Sequence, residues 1–230
     1  MNPKRILGLA IAASALTSSA ALAATGTPER VRGTIASATA DSVTVDTHAD
    51  KPVTVTLTGN TSYLKVEKTN LNKVDKGSYI GTATKDVGGT QVALEVVIFP
   101  PSLRGTGEGH YAWDKIRDTT LSGGAQTSSS MTNGNVSAVS TSAATVNSTM
   151  TNGDVAAAQS QGGVTHLVVT YKGGKEDVLV PPTAPIVTFL PGTKALVAKG
   201  NDVFIKATQT GSGLEANAVA VGVDGVKPPM

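Results

Sequence analysis

From Val31 onward the chain is written in short segments that alternate apolar and polar residues and are rich in Val, Thr and Ile: Val31 to Ala38, Ser42 to Thr47, Pro52 to Leu57, Ser78 to Lys85 and Gly89 to Phe99. Alternation with period two and β-branched side chains predicts half-buried strands. Between the segments stand turn formers, at Asp41, Asp50-Lys51-Pro52, Thr58-Gly59-Asn60 and Gly88-Gly89. Only Leu64 to Val74, where Leu64, Leu71 and Val74 can share a face, suggests a short helix, and Asn70 and Asn72 weaken it.

The order returns in the second half of the chain. His166 to Tyr171, Gly173-Gly174, Glu176 to Val180, Ile186 to Leu190, Val203 to Gln209 and Gly213 to Gly222 follow the same rhythm, which reads as an internal repeat. Its anchor is Lys76-Gly77-Ser78-Tyr79-Ile80 against Lys199-Gly200-Asn201-Asp202-Val203-Phe204-Ile205, the second copy being read with two extra residues. About five strands per repeat predict an all-β chain of two tandem small Greek-key barrels of OB type, with a two-sheet sandwich as the alternative. Residues 24–100 then form the first barrel, 101–149 the linker and 150–230 the second barrel.

The linker assignment rests on composition. Proline and glycine after Pro100 give way to a Ser/Thr/Ala-rich stretch reaching Thr149, the usual make-up of a connecting segment. Within it Met131-Thr132-Asn133-Gly134-Asn135-Val136 is echoed by Met150-Thr151-Asn152-Gly153-Asp154-Val155. The second copy is expected to open the second barrel, leaving 131–149 as an extra hairpin or a mobile loop.

Charge and targeting narrow the picture. Lys4 and Arg5 precede an uncharged run from Ile6 to Ala24 that includes Ala21-Leu22-Ala23, so residues 1–23 read as a signal peptide cleaved after Ala23. Its strongly apolar part, Ile6 to Leu16, is shorter than the roughly 20 residues that cross a bilayer. No cysteine is present to carry a lipid or a disulfide, so the expected product is a free periplasmic or secreted protein held by its core, with no transmembrane segment. Without the two basic residues of the leader, 17 basic residues face 17 acidic ones. That balance, with only 3 Phe, 4 Tyr and 1 Trp, argues against a nucleic-acid partner.

The least ordinary peptide is Arg104-Gly105-Thr106-Gly107-Glu108-Gly109-His110-Tyr111-Ala112-Trp113-Asp114, which holds the single Trp and one of three His. Alternate glycines let the backbone take positive φ and approach another surface. The structural expectation is that Trp113 and Tyr111 plug the seam between the barrels while Arg104 and Asp114 tie the peptide down; the functional one is a ligand site made of the same residues with Glu108 and His110. Glu108, His110 and Asp114 offer oxygen and nitrogen donors to a metal, though three ligands on one strand make a weak site. Asp46, His48 and Asp50, alternating on one strand face, are a second weak metal candidate, against the plainer reading of a solvated hairpin tip. His166 reads as a packed or edge residue of its strand.

No Gly-x-Ser-x-Gly elbow, His-Glu-x-x-His pair, phosphate loop or cysteine nucleophile occurs, so an enzyme is not expected, nor any cofactor. The segment Val31-Arg32-Gly33-Thr34-Ile35, the run Ala93 to Pro100, the Arg104 to His110 peptide, Tyr171-Lys172-Gly173-Gly174, Val180-Pro181-Pro182 and the end Gly225 to Met230 resemble a proteobacterial family of exported proteins of unknown function with OB-like barrels. The likeness implies little about activity. Some members of that family carry the label of metal transporter permease, which suits a chain without membrane helices only as a soluble accessory. The expected function is therefore a non-enzymatic binding or adaptor protein for a periplasmic protein, a glycan or a small molecule, with a soluble metal-binding accessory to transport as the alternative.

Overall fold

The computed structural model describes residues 26–47, 51–121, 124–142 and 163–228. The fold is all-β: among the described residues the only helical pieces are three single 3-10 turns, and none is a helix long and apolar enough to cross a membrane. The first strands are β1 (Thr27–Ala38), β2 (Ser42–Thr47), β3 (Pro52–Thr56), β4 (Ser62–Lys68), β5 (Tyr79–Val87) and β6 (Thr90–Ile98). A crossover carries β7 (Gly109–Ala112), β8 (Ile116–Arg117) and β9 (Gln126–Thr127). The rest are β10 (Ser130–Ser142), β11 (Val164–Tyr171), β12 (Gly174–Val180), β13 (Ile186–Pro191), β14 (Asp202–Thr210) and β15 (Gly213–Gly222).

Thirteen of these strands join one mixed sheet, with β8 and β9 paired apart. The pairing closes on itself twice. β1, β2, β3, β15 and β14 form one ring, shut by the parallel contact of β15 with β3, and β10, β11, β12, β6 and β5 form a second, shut by β12 with β6. The strands therefore do not pair as one barrel from residues 24–100 and another from 150–230. Each ring takes three consecutive strands from one half of the chain and a closing hairpin from the other, because β4 and β13 each lead out of their own half.

The ladders of the two halves correspond closely. Val96 opposite Ile186 is matched by Val219 opposite Tyr63, so that β4 to β6 and β13 to β15 follow one numbering offset. Gly77 and Gly200 donate to the carbonyls of Val136 and Ile35, and Ser78 and Asn201 accept from the amides of the same two residues. The Lys-Gly anchors thus align without the two-residue insertion read from the sequence. β1 and β10 each bulge after the matched residues, Ile35 and Val136. Just before each bulge a glycine lets the second strand cross: a Cβ on Gly33 would lie 1.9 Å from the Asp46 carbonyl oxygen, and one on Gly134 2.3 Å from that of Thr170.

Each ring is filled by the inward residues of its strands. The first holds Ile35, Val43, Val45, Val55, Val203, Ile205 and Val219, and the second holds Ile80, Val96, Val136, Leu167, Val169 and Val178. A third cluster, with Val66, Tyr79, Phe99, Val187, Phe189 and Ala220, lies between them on the β4–β13 pair. Complete burial of a Val or Ile is worth about 1.5–3 kcal/mol, so the alternation seen in the sequence is the main source of stability.

Two further expectations change. Leu64 to Val74 is not a helix: Ser62–Lys68 is strand β4, where Val66 is fully buried opposite Phe189. Only Leu71–Lys73 turns helically, with the Asn70 side chain accepting from the Asn72 amide. The 101–149 linker contains β7 to β9 and all of β10, whose Met131-Thr132-Asn133-Gly134-Asn135-Val136 pairs with β5 in the heart of the second ring. The Met150 to Val155 copy lies outside the described residues. The composition misled because Thr132 and Asn133, both buried, find crossover partners there, His110 for the Thr132 hydroxyl and the Gly107 carbonyl for the Asn133 Nδ2 donor.

Strand exchange makes a direct prediction. Residues 26–121 produced alone lack β14 and β15 and should show no cooperative unfolding, whereas co-expression with residues 124–228 should yield a folded one-to-one complex. Cooperative folding of either half as a monomer would exclude the exchanged pairing.

Candidate functional site

The crossover is the part of the molecule with chemistry. After the 3-10 turn at Pro101–Leu103 it passes Gly105 and Gly107 at positive φ, 84° and 59°, and enters β7, which pairs antiparallel with β10. Gly107 is needed for closeness as well as for φ, since a Cβ there would come 2.9 Å from Asn133 Nδ2. Arg104 donates to the Asn135 side chain and, at 2.8 Å, to the Gly77 carbonyl. Tyr79, buried beneath, donates its hydroxyl to the Thr106 carbonyl at 3.1 Å; burial, and then the Glu108 charge, push its pKa up to about 12.

The outer residues of the peptide point to the second ring. Glu108 accepts from the Lys172 amide at 3.0 Å, and His110 Nδ1 lies 2.9 Å from Thr132 Oγ1 and 3.9 Å from Glu176, its ring stacked on Tyr171. Trp113 points to the first ring. Its backbone amide binds the Ser129 carbonyl at 2.8 Å, Tyr111 meets it edge-on at 5.8 Å, and the Arg30 guanidinium covers its face at 4.2 Å. Asp114 receives both η and ε donors of Arg30, at 3.1 and 3.2 Å, and a bond from Arg32. Arg104 and Asp114 thus fasten opposite ends of the peptide and do not meet.

Partial burial raises the Asp114 carboxyl, and the hydrogen bonds from Arg30 and Arg32 outweigh that and hold it below the usual range. A second fastener was not visible in the sequence. Lys85 of β5 donates to Asp118 at 2.7 Å and to Thr120 at 2.6 Å, and Thr120 donates back to Asp118. Asp118 is 4% exposed, and the Lys85 bond, opposed by burial and helped by Thr120, holds its pKa below normal.

Between the rings these residues roof a cavity of about 360 Å³. Phe99, Phe189, Phe204 and Leu64 make its apolar floor and sides, Tyr111 and Trp113 its roof, with Arg30 and Lys206 at the rim. Two polar atoms of its lining residues are buried without a hydrogen-bond partner among the described residues, Trp113 Nε1 and Asn133 Oδ1. The aromatic and aliphatic members come from β1, β4, β7, β13, β14, β15 and the turn after β6, which no local pattern joins; Phe204 and Lys206 had only the strand alternation to mark them.

The metal candidates are not gathered. Glu108, His110 and Asp114 face different partners, Asp46 lies exposed on β2, and His48 and Asp50 fall outside the described residues. Among the described residues no group of three His, Cys, Asp or Glu is placed to hold a metal ion. His166 is an exposed residue of β11, flanked by β10 and β12. No family model, no curated protein and no solved structure matches the chain, so the family resemblance rests on the residues quoted for it.

Two outcomes follow for the crossover. Trp113→Ala should cost about 2–3 kcal/mol, less than the 3–5 kcal/mol of a fully enclosed aromatic because Trp113 is half-buried, measured by urea unfolding. Asp118→Ala, which strands the Lys85 ammonium, should cost about 3 kcal/mol at pH 7. Because Asp118 titrates lower in the folded chain than the ~3.9 of an unfolded aspartate, its contribution is complete above that value and is lost as pH falls through the folded pKa. The difference between wild type and Asp118→Ala should shrink in that acid window, and a difference constant down to pH 2 would disprove the assignment.

Proposed function

We propose that this chain is an exported, non-enzymatic binding protein, and that each ring is a small Greek-key barrel of OB type. The barrel reading is supported by the order of each ring: three strands in meander, then a hairpin whose last strand runs parallel to the third and whose first returns to the first. Export is supported by the basic, then apolar, then Ala-x-Ala leader of residues 1–23.

The ligand site is the cavity between the rings, and its occupant is a small, mainly apolar molecule bearing a hydrogen-bond acceptor or an anionic group. One observation carries this. Trp113, whose buried indole N–H has no partner among the described residues, lines an aromatic cavity of about 360 Å³, within the size range of small-molecule sites. Native proteins rarely leave such a donor unmet, and an acceptor on the ligand would meet it. Arg30, Arg32 and Lys206 stand near, against Glu29 and Asp114, so the surroundings favour a negative end.

The test uses 1-anilinonaphthalene-8-sulfonate, an apolar anion, titrated into the whole chain with energy transfer from Trp113 as the signal. Saturable one-site binding is expected, weakened at least tenfold by Ala218→Phe, which fills the cavity, at an unchanged unfolding midpoint. Binding indifferent to Ala218→Phe, or none, would remove this cavity as the site.

A further inference from the structure

The correspondence between the rings exposes one place where they differ. In the second ring the outer half of β10 is paired on both edges, by β5 and by β7, with Thr132 opposite His110 and Met131 opposite Tyr111. Since Ile35 corresponds to Val136 through their shared hydrogen bonds, Val31 corresponds to Thr132 and Arg30 to Met131. There β1 is paired with β14 on one edge, and no described strand pairs with its other edge from Thr27 to Val31, because β2 joins only from Gly33 onward. Residues of an antiparallel strand direct their peptide groups to alternate edges. Ile35 bonds the β14 side, so the N–H and C=O of Arg30 are turned to the open edge.

The space beside that edge is present and chemically distinct. In the second ring His110 of β7 enters a polar mouth beside Thr132, Tyr171 and Glu176. The registers make Val31, Thr47 and Val53 their counterparts in the first ring, where with Leu214 they line a cavity of about 420 Å³. Its rim carries Arg30 and Lys115, with Glu29 as the one acid. A mouth lined by Val31, Val53 and Leu214 suits an apolar side chain where the second ring receives a histidine. The position opposite Arg30 faces the Lys115 ammonium as well as the Arg30 guanidinium, which already binds Asp114, and this rim suits a carboxylate.

We propose that this edge of β1 is a docking slot for an extended segment of a partner polypeptide. The segment adds antiparallel to β1 as β7 adds to β10, setting an apolar side chain in the mouth of the first ring and an acidic one beside it against Arg30 and Lys115. Strand addition of this kind draws affinity from main-chain hydrogen bonds and specificity from alternate side chains. A second copy of this chain is a poorer occupant, because two β1 edges meeting antiparallel would bring their Arg30 and Arg32 side chains together. The slot adjoins the cavity between the rings and shares Glu29 and Arg30 with it, but does not need that cavity to hold a ligand.

The probe is a fluorescently labelled octapeptide of alternating Asp and Val, titrated by anisotropy into the whole chain. Saturable binding is expected. It should weaken at least tenfold for a peptide with Pro in place of a central Val, for a Lys-Val peptide, and for Val53→Glu, which installs the residue the second ring carries at that place. Hydrogen exchange at the Arg30 amide should slow on binding in the wild type, a readout that needs no variant to fold. No saturation below about 1 mM, equal binding of all three peptides, an unprotected Arg30 amide, or concentration-dependent dimers that the peptide fails to dissociate would each overturn the proposal.

Discussion

The register between β4 and β13, from Val187 opposite Lys68 to Pro191 opposite Leu64, sets the course of everything around it. Two strands that hold the same place in their halves lie antiparallel, with Val66 facing Phe189, and each is flanked on its other side by a parallel strand, β15 or β6. A strand in that position cannot lead the chain back into its own ring. The hairpin that follows it is delivered to the opposite ring, so neither ring closes without the other half. The contacts that close them are distant in sequence, and ordering them costs loop-closure entropy before their burial is gained.

Among the described residues the crossover from Pro101 to Ser129 has no counterpart in the other half, and it breaks the correspondence. It is held by two charge clusters of different depth. Asp118 with Lys85 is almost enclosed and lies on the second ring, whereas Asp114 with Arg30 and Arg32 is half open and ties it to the first. The second cluster also stacks Arg30 on Trp113, so electrostatics and the aromatic roof are one construction. Just before Asp114, Tyr111 and Trp113 meet aromatic side chains from both rings around the cavity.

The rings have diverged inside as well. Where the first has Val31, Ile205 and Ala207, the second has Thr132, Thr82 and Thr84, all buried, with Thr82 donating to the Glu95 carbonyl and Thr84 to Gln91. Such a core loses transfer free energy and recovers part of it through hydrogen bonds, provided every hydroxyl has a partner. The partner of Thr132 is His110, which β7 brings. A polar interior and an added strand therefore belong together in the second ring, and an apolar mouth with an open edge belongs to the first.

Much of this was present in the sequence by itself. The alternating Val, Thr and Ile segments determined the strands, because one buried face per strand forces period two, and the Lys-Gly anchors marked the matching halves. The Arg104 to Asp114 peptide stood out by its glycines and its only Trp. Tertiary structure alone decided which strands pair: parallel and antiparallel partners of like composition bury equal surface, so nothing local distinguishes β14 from β5 as the neighbour of β1. It also decided that Ser130 to Ser142 is a central strand, since its buried Thr and Asn acquire hydrogen-bond partners only when the crossover lies on them. The cavity was hidden for the same reason, being assembled from single residues of many strands whose only common property is where the exchange of hairpins places them.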